Sequence, residues 1–402
     1  MNEEQIPQRE QTVITERGTT VLLGITGTVD PAVLRQFVQQ AGAASVGRWI
    51  VAAPGLEEAQ VDGAKLRSYS ISSSAPDLLP WVHASAAQRA LCSLALQEQA
   101  EVCVLLHHDL LLLREDVLQL MVQPIVEKRC DVVLPVYAAG KFDALLNHGI
   151  LAPLTRSLFG HRVQYPLPLD FSCSAEMCAK FTVPSLTTES RAEEILWPAT
   201  VAAVAGKQFC QVHVDVSHGR QTDGIELRTA LASLVGSIFL EMEKYASYWQ
   251  RVRASRPAPV WGQGIHQAKE EDGIDVKPLI DSFQLGARNL QEILGPVLPP
   301  VTLFELKKLS RLKPEEFRIP DELWVRIVYD FALAHRLRTV SRSHLLGALT
   351  PLYLGWVASY VQEVAALSPF VAQQRLEQLA RVYEENKPYL LRRWRWPDRF
   401  NP

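Results

Sequence analysis

The sequence lacks a long hydrophobic run, a strong charge of either sign and a leader-like start, and each absence argues against a class of protein. Nowhere do about 18 apolar residues follow one another without interruption, so we expect no membrane-spanning helix. Residues 1–17 are mostly polar and have no apolar core, which predicts a flexible N-terminal segment rather than a signal peptide. The formal net charge of −3 argues against nucleic acid as the main partner.

The signatures of several enzyme classes are also missing. The chain has no Walker loop, no GxGxxG after a predicted strand, no GxSxG elbow and no HExxH motif. None of its six cysteines belongs to a CxxC pair, and most lie in apolar segments, where a reduced cysteine packs as a small hydrophobic side chain. This usage favours a reducing, cytoplasmic location. The cysteines are Cys92, Cys103, Cys130, Cys173, Cys178 and Cys210.

What is present is the composition of an ordinary globular protein, with 48% hydrophobic and 21% charged residues over a length that suggests two or three domains. The first half alternates apolar runs with segments of helical periodicity, which predicts βαβ units and a mostly parallel sheet. The predicted strands are 20–25, 49–53, 66–71, 102–106 and 131–136, and the predicted helices are 31–41, 83–99 and 115–128.

The middle of the chain has a less regular pattern, and the pattern of the C-terminal part predicts helices only. We predict helices over 151–159, 175–181, 192–205 and 226–253, and a strand over 209–216. A segment rich in proline and glycine then predicts a linker, residues 255–275, between an α/β domain of residues 18–254 and an all-helical domain of residues 276–402. The predicted C-terminal helices are 277–294, 321–338, 342–367 and 369–394.

The tripeptide His107-His108-Asp109 follows the buried strand predicted at 102–106. Open α/β sheets place their ligands at the carboxyl ends of such strands. One carboxylate together with a diphosphate can hold Mg²⁺ or Mn²⁺, and a histidine suits manganese better than magnesium. Asp109 is therefore the best candidate metal ligand, with His107 as a second ligand. The alternative is that these polar residues only end the strand in solvent.

From residue 89 onward the chain resembles bacterial family-2-like glycosyltransferases of the GT-A fold, related to mannosylglycerate and glucosylglycerate synthases. The similar segments include Asp131-Val-Val-Leu-Pro-Val-Tyr137, Lys141-Phe-Asp143, Asn147, Pro153-Leu-Thr-Arg156, Leu158-Phe-Gly160, Asp170-Phe-Ser172, Trp324-Val-Arg-Ile-Val-Tyr-Asp-Phe331 and Glu385-Asn-Lys-Pro-Tyr-Leu390. The resemblance implies a GT-A-type, mostly parallel sheet with helices on both faces. It also implies transfer of a hexose from a nucleotide-sugar donor to a small, glycerate-like or lipid-linked acceptor.

The resemblance further implies roles for single residues. His218 matches a histidine that completes the metal shell of the family, and Asp170 matches an acidic residue on the acceptor side. Asp170 would act as general base in an inverting transfer or would position the sugar in a retaining one. The alternatives are that His218 is an ordinary loop residue and that Asp170 caps the helix that begins at residue 175.

Five further polar residues are candidates for binding the donor or the acceptor. They are Arg89, Lys141, Asp143, Asn147 and Arg156. Arg156 has the geometry to pair with a diphosphate, and Arg89 lies in the helix before the strand that leads to Asp109. The alternative for all five is ordinary loop and helix-surface chemistry.

The chain departs from the family at several points that matter for catalysis. The metal-binding Asp-x-Asp has become His107-His108-Asp109, and a Gly-Lys-Gly loop is replaced by Ala87-Gln88-Arg89. The rival interpretation is therefore a catalytically degenerate relative that binds a sugar nucleotide or a partner protein without turnover.

The C-terminal run Arg392-Arg-Trp-Arg-Trp396 allows peripheral contact with an anionic membrane. It is equally consistent with the packed end of the last helix, with Trp394 buried and the arginine stems along the surface. We favour the packed end.

Overall fold

A computed structural model gives the fold of the chain. It describes residues 18–27, 47–61, 64–71, 80–107, 115–183, 194–217, 226–264, 273–398 and 400. The helix predicted at 31–41 lies outside these residues, as do Asp109 and His218.

A nine-stranded sheet forms the centre of the molecule, in the order β11-β9-β6-β8-β5-β1-β2-β4-β3. A separate parallel pair joins β7 to β10. The strands are β1 (Thr20–Ile25), β2 (Arg48–Pro54), β3 (Gln60–Val61), β4 (Ala64–Tyr69), β5 (Val102–Leu106), β6 (Val132–Ala138), β7 (His161–Arg162), β8 (Phe171–Ser174), β9 (Phe209–Ser217), β10 (Arg256–Pro257) and β11 (Val260–Trp261).

Most neighbouring strands of this sheet are parallel, and two strands run against the rest. β3 pairs antiparallel with β4, and β8 pairs antiparallel with both β5 and β6. From β1 the chain goes outward to β2 and β4, then returns to the other side of β1 as β5. The carboxyl ends of β1 and β5 are therefore the point where the strand order reverses, which is where open α/β sheets bind their ligands.

Fourteen helices surround the sheet and extend beyond it in the described part of the chain. They are α1 (Pro80–Gln97), α2 (Glu115–Val126), α3 (Ala152–Phe159), α4 (Ala175–Phe181), α5 (Pro198–Val204), α6 (Leu227–Lys244), α7 (Ala246–Trp249), α8 (Lys277–Asn289), α9 (Gln291–Val297), α10 (Pro300–Leu309), α11 (Asp321–Leu337), α12 (Arg342–Val364), α13 (Pro369–Glu385) and α14 (Lys387–Arg395). A π-helical turn, Asn147–Leu151, leads directly into α3.

Helices cover both faces of the sheet because successive strand residues point to opposite sides. Val21 and Leu23 of β1 pack on one face with Met121 of α2. Leu22, between them, packs on the other face in the larger core, which also contains Leu91 of α1. The predicted fold class, a mostly parallel sheet with helices on both faces and a helical C-terminal region, is confirmed.

The C-terminal helices share the larger hydrophobic core with one face of the sheet, since Trp324 and Trp356 belong to the same cluster as Leu22. The carbonyl of Gly149, in the π-helical turn, accepts hydrogen bonds from Trp324 Nε1 at 3.0 Å and from Tyr383 Oη at 2.9 Å. This turn is therefore a point of attachment between the sheet region and the C-terminal helices.

Several predicted elements have different bounds in the structure. The helix predicted over 226–253 ends at Lys244 and is followed by the short helix α7. The segment predicted as a linker contains β10 and β11, and β11 extends the sheet next to β9. The helix predicted over 369–394 is two helices that meet at Asn386. Within the described residues no helix is both long and apolar enough to cross a membrane.

Candidate functional site

The ends of β1 and β5 are held together by two residues that directly follow them. Thr26 donates its backbone N–H to the Leu106 carbonyl at 2.8 Å, and its hydroxyl lies 3.2 Å from the same oxygen. The Thr26 hydroxyl is also 2.9 Å from Nδ1 of His107. If the single hydroxyl proton goes to Leu106, His107 donates from Nδ1 and carries its lone pair on Nε2.

Asp170 joins this pair because β8 runs against its neighbours, so its first residues lie at the edge where the parallel strands end. One carboxylate oxygen accepts the backbone N–H of His107 at 2.6 Å, and the other accepts the Tyr137 hydroxyl at 2.8 Å. The side chain is buried, with 5% of its surface exposed. The aspartate thus connects the ends of β5, β6 and β8.

The interpretation of Asp170 as a helix cap is wrong. The residue that caps α4 is Ser174, whose hydroxyl accepts the backbone N–H of Met177. Asp170 lies four residues earlier, on the far side of β8, where its carboxylate has the two other donors described above.

Aromatic side chains line the inner side of this group. The rings of Tyr137 and Tyr165 meet edge to face with centroids 4.9 Å apart, and Tyr165 contacts the ring of His148 in the same manner. Burial lowers the pKa of His148 to about 4, against a smaller opposing effect of Asp143. His148 is therefore neutral at physiological pH. Its ring and that of Tyr165 pack in sequence behind Tyr137.

The predicted metal ligands are placed only in part. His107 lies at the strand end as expected, whereas Asp109 and His218 fall outside the described residues. β9, which precedes His218, is separated from β5 by β6 and β8. Three inter-strand spacings amount to about 14 Å, so joint ligation by Asp109 and His218 requires the chain beyond both strand ends to cover that distance.

Lys141, Asp143 and Asn147 have structural partners near the beginning of the π-helical turn. Lys141 donates to the carbonyl of Ala365 at 2.8 Å, just beyond the end of α12, where a cation is favourable. Asp143 accepts the backbone N–H of Gly140 at 2.8 Å, and Asn147 donates to the Gln164 carbonyl at 2.8 Å.

The two arginines form ion pairs away from the strand ends. Arg156 of α3 is buried and contacts Glu377 at 2.6 Å and Glu384 at 2.9 Å, both on α13. Arg89 of α1 donates to the Glu194 carbonyl at 2.9 Å, and its guanidinium is 3.5 Å from the Glu194 carboxylate. The structure therefore brings together His107 and Asp170, and not these two cations.

Sequence reasoning missed Thr26 and Tyr137 as members of the group. Thr26 directly follows a predicted buried strand, a position that could have drawn attention to it. The role of Tyr137 depends on the pairing of β6 with β8, which the sequence pattern does not reveal.

The C-terminal tail is packed at its start and exposed at its end. Trp394 is buried against Trp249, with ring centroids 5.1 Å apart, and Arg393 lies 3.0 Å from Asp330. Trp396 has 79% of its surface exposed. The described residues therefore support the packed end for Trp394 and leave Trp396 at the surface.

One cavity lies elsewhere, at the start of β9 and the end of α3, with a volume of about 540 Å³. Four cations line it, Lys207, Arg251, Arg253 and Arg256. None of the strand-end residues Thr26, His107, Tyr137 and Asp170 lines this cavity.

Comparison with solved structures finds distant likenesses. The glucosyl-3-phosphoglycerate synthase of Mycobacterium tuberculosis with Mn²⁺, UDP and glucosyl-3-phosphoglycerate is 13% identical over 56% of this chain and 79% of that chain, with a TM-score of 0.37. Its complex with Mn²⁺, UDP-glucose and phosphoglyceric acid is 14% identical over 57% and 80%, again with a TM-score of 0.37. A mycobacterial protein is 14% identical over 56% and 74%, with a TM-score of 0.38. No family model and no curated protein matches the chain. A likeness at these TM-scores assigns neither a family nor an activity.

Proposed function

We propose that the protein is a GT-A-type hexosyltransferase that uses a nucleotide-sugar donor and a small, glycerate-like or lipid-linked acceptor, with help from Mg²⁺ or Mn²⁺. The observation that carries the proposal is the group Thr26, His107, Tyr137 and Asp170 at the point where the strand order reverses. The segments between residues 131 and 170 that resemble these transferases include Tyr137 and Asp170 of this group. Six reduced, buried cysteines support a cytoplasmic location.

In this proposal Asp170 positions the reacting groups rather than removing a proton. Its two carboxylate oxygens are engaged by the backbone N–H of His107 and by the Tyr137 hydroxyl, so the side chain is held in place. The same bonds hold the main chain of His107 in place. A retaining transfer, in which an aspartate orients the sugar, fits these contacts better than base catalysis.

The residues at the strand end also fit a divalent cation. His107 would supply an imidazole nitrogen to the cation, and its contact with the Thr26 hydroxyl would orient the ring. Asp109 and His218 would complete the protein's share of the ligands. When bound, the cation would neutralise charge on the diphosphate leaving group.

The test is calorimetric titration of the full chain with UDP-glucose and with GDP-mannose, with and without Mn²⁺. We expect binding that depends on Mn²⁺ and weakens at least tenfold in His107→Gln and in Asp109→Ala. His161→Gln, a histidine at the other edge of the sheet region, is the matched control and should bind as the wild type does. Donor binding that does not depend on Mn²⁺ and is equally tight in both variants would contradict the proposed donor site.

A second measurement separates transfer from binding alone. The protein is incubated with the bound donor and glycerate-type acceptors, and the products are analysed by mass spectrometry. We expect a glycosylated product with the wild type and none with Asp170→Asn. The missing first aspartate of the metal motif favours the rival, a degenerate binder. Tight donor binding without product or donor hydrolysis would support that rival.

A further inference from the structure

Four of the six cysteines meet in the core, although they come from four different elements of the fold. Cys92 lies on α1, Cys103 on β5, Cys173 on β8 and Cys178 on α4. Cys103 and Cys173 are direct partners in the antiparallel pairing of β5 with β8. Cys178 follows five residues after Cys173, on the first turns of the next helix, and α1 packs against α4 on the same side.

The sulfur atoms are close enough to share one ion. The Sγ atoms of Cys92, Cys103 and Cys178 all lie within 4.8 Å of one another. Cys173 Sγ is 3.5 Å from Cys178 Sγ. In a tetrahedral zinc site with Zn–S bonds of about 2.3 Å, neighbouring sulfurs are about 3.8 Å apart. The sulfurs of Cys92, Cys103 and Cys178 therefore need shifts of about 1 Å or less to reach that spacing. Cys173 Sγ, already near Cys178 Sγ, is the fourth candidate ligand.

We propose that Cys92, Cys103, Cys173 and Cys178 form a structural zinc site in the core of the α/β region. The donor set contains sulfur alone, and soft thiolates select Zn²⁺ over the Mg²⁺ or Mn²⁺ that oxygen ligands prefer. All four side chains are at most 1% exposed, as expected for a closed structural site without a position for water.

Ion binding would release the thiol protons to solvent, one for each sulfur that becomes a thiolate. Burial opposes a lone thiolate, but a divalent cation compensates two thiolate charges and reduces that opposition. Within the described residues, Cys92, Cys103 and Cys178 form the only group of at least three cysteine, histidine or carboxylate ligands with such spacing. The site would join α1 and α4 to the sheet at β5 and β8.

The remaining two cysteines supply a matched control. Cys130 and Cys210 are also buried, and their thiols are near each other on the other side of the sheet. Two sulfurs alone make an incomplete zinc site, so substitutions there should leave metal binding unchanged.

The experiment begins with metal analysis of the full chain produced in zinc-supplemented medium and passed through a mild chelator. We expect zinc in equal amount to protein, and X-ray absorption should give a shell of four sulfurs at about 2.3 Å. This measurement needs no variant. Substoichiometric zinc, or a shell of oxygen and nitrogen, would overturn the proposal.

Cobalt then tests the individual ligands. Metal-free protein loaded with Co²⁺ should show the thiolate-to-cobalt absorption and the intense visible bands of a tetrahedral site. Cys178→Ser and Cys103→Ser should weaken cobalt binding more than about a hundredfold, while Cys130→Ser binds as the wild type does. Equal cobalt binding by all three variants would assign the metal to another site and would also overturn the proposal.

Discussion

At the scale of single residues, Asp170 holds the strand ends through two hydrogen bonds, one buried and one partly buried. In Asp170→Ala the backbone N–H of His107 and the Tyr137 hydroxyl both lose their acceptor. An unsatisfied buried donor costs about 1–3 kcal/mol, so we expect the free energy of unfolding to fall by about 2–3 kcal/mol in urea titrations. Tyr137→Phe removes one of the two bonds and a longer contact of 3.3 Å in which the tyrosine hydroxyl accepts the Asp170 backbone N–H, and it should cost only about 1 kcal/mol. A loss for the alanine variant no larger than that for Tyr137→Phe would contradict this account.

Glu241 of α6 gives the protein a stability that depends on pH. Burial raises its pKa to about 7, against the nearby charge of Lys244, and one of its carboxylate oxygens has no hydrogen-bond partner in the described structure. The folded chain therefore binds this proton more tightly than the unfolded chain, whose ordinary value is 4.5. Stability from this group is complete below about pH 4.5 and falls as the pH rises towards about 7.

Replacing Glu241 by Gln should remove that dependence. We expect the variant to gain up to about 3 kcal/mol over the wild type at pH 8 and to show little gain at pH 4.5, measured by urea unfolding at each pH. Glu305→Gln, on an exposed part of α10, serves as the control. A gain for Glu241→Gln that stays the same across this range would refute the titration of this carboxyl.

At the scale of elements, the π-helical turn Asn147–Leu151 determines how closely the C-terminal helices approach. A methyl group added at Gly149 would overlap the rigid indole of Trp356, and the carbonyl of the same residue accepts two hydrogen bonds. Gly149→Ala should therefore lower the free energy of unfolding by about 2–3 kcal/mol. Gly295→Ala has open space around the new methyl and should be neutral or slightly stabilising. Equal thermal stability of the two variants would argue against the close approach.

The attachment of α3 to α13 depends on Arg156 and its two glutamates. Its guanidinium is buried, whereas Glu377 and Glu384 are partly exposed, so loss of the cation leaves two carboxylates that water still reaches. We expect Arg156→Met to cost about 2 kcal/mol, and Arg156→Lys to recover less than half of it, because one ammonium lacks the planar fork that contacts both partners. If Arg156→Lys were as stable as the wild type in thermal unfolding, the positive charge alone, and not the planar guanidinium, would account for the role of Arg156.

The sequence predicted elements better than their arrangement. β1, β5 and α4 have the predicted bounds because apolar runs and helical periodicity are local signals. The placement of β8 between β5 and β6, the strand β11 and the π-helical turn depend on tertiary contacts, so periodicity alone does not reveal them. The same limit applies to Lys141 and Arg156, whose partners lie more than 200 residues away in the chain.

At the scale of the whole molecule, the shared core predicts one cooperative unit. Residues of the sheet and of the C-terminal helices belong to the same hydrophobic cluster, so neither region keeps its core without the other. We expect a single urea transition, with identical midpoints by far-ultraviolet circular dichroism and by tryptophan fluorescence. Two separate midpoints would instead support independent domains on either side of the predicted linker.

The short strand β8 has a consequence for how the protein is made. Phe171–Ser174 alone joins the half of the sheet built on β1 to the half built on β6, so the first half keeps an open edge at β5 until residue 174 has emerged. Synthesis of the chain between β5 and the end of β8 takes roughly 3 to 14 s on the ribosome. During that time β5 presents unpaired backbone groups to the cell. The nascent chain is thus most vulnerable to misassociation before its smallest central strand closes the sheet.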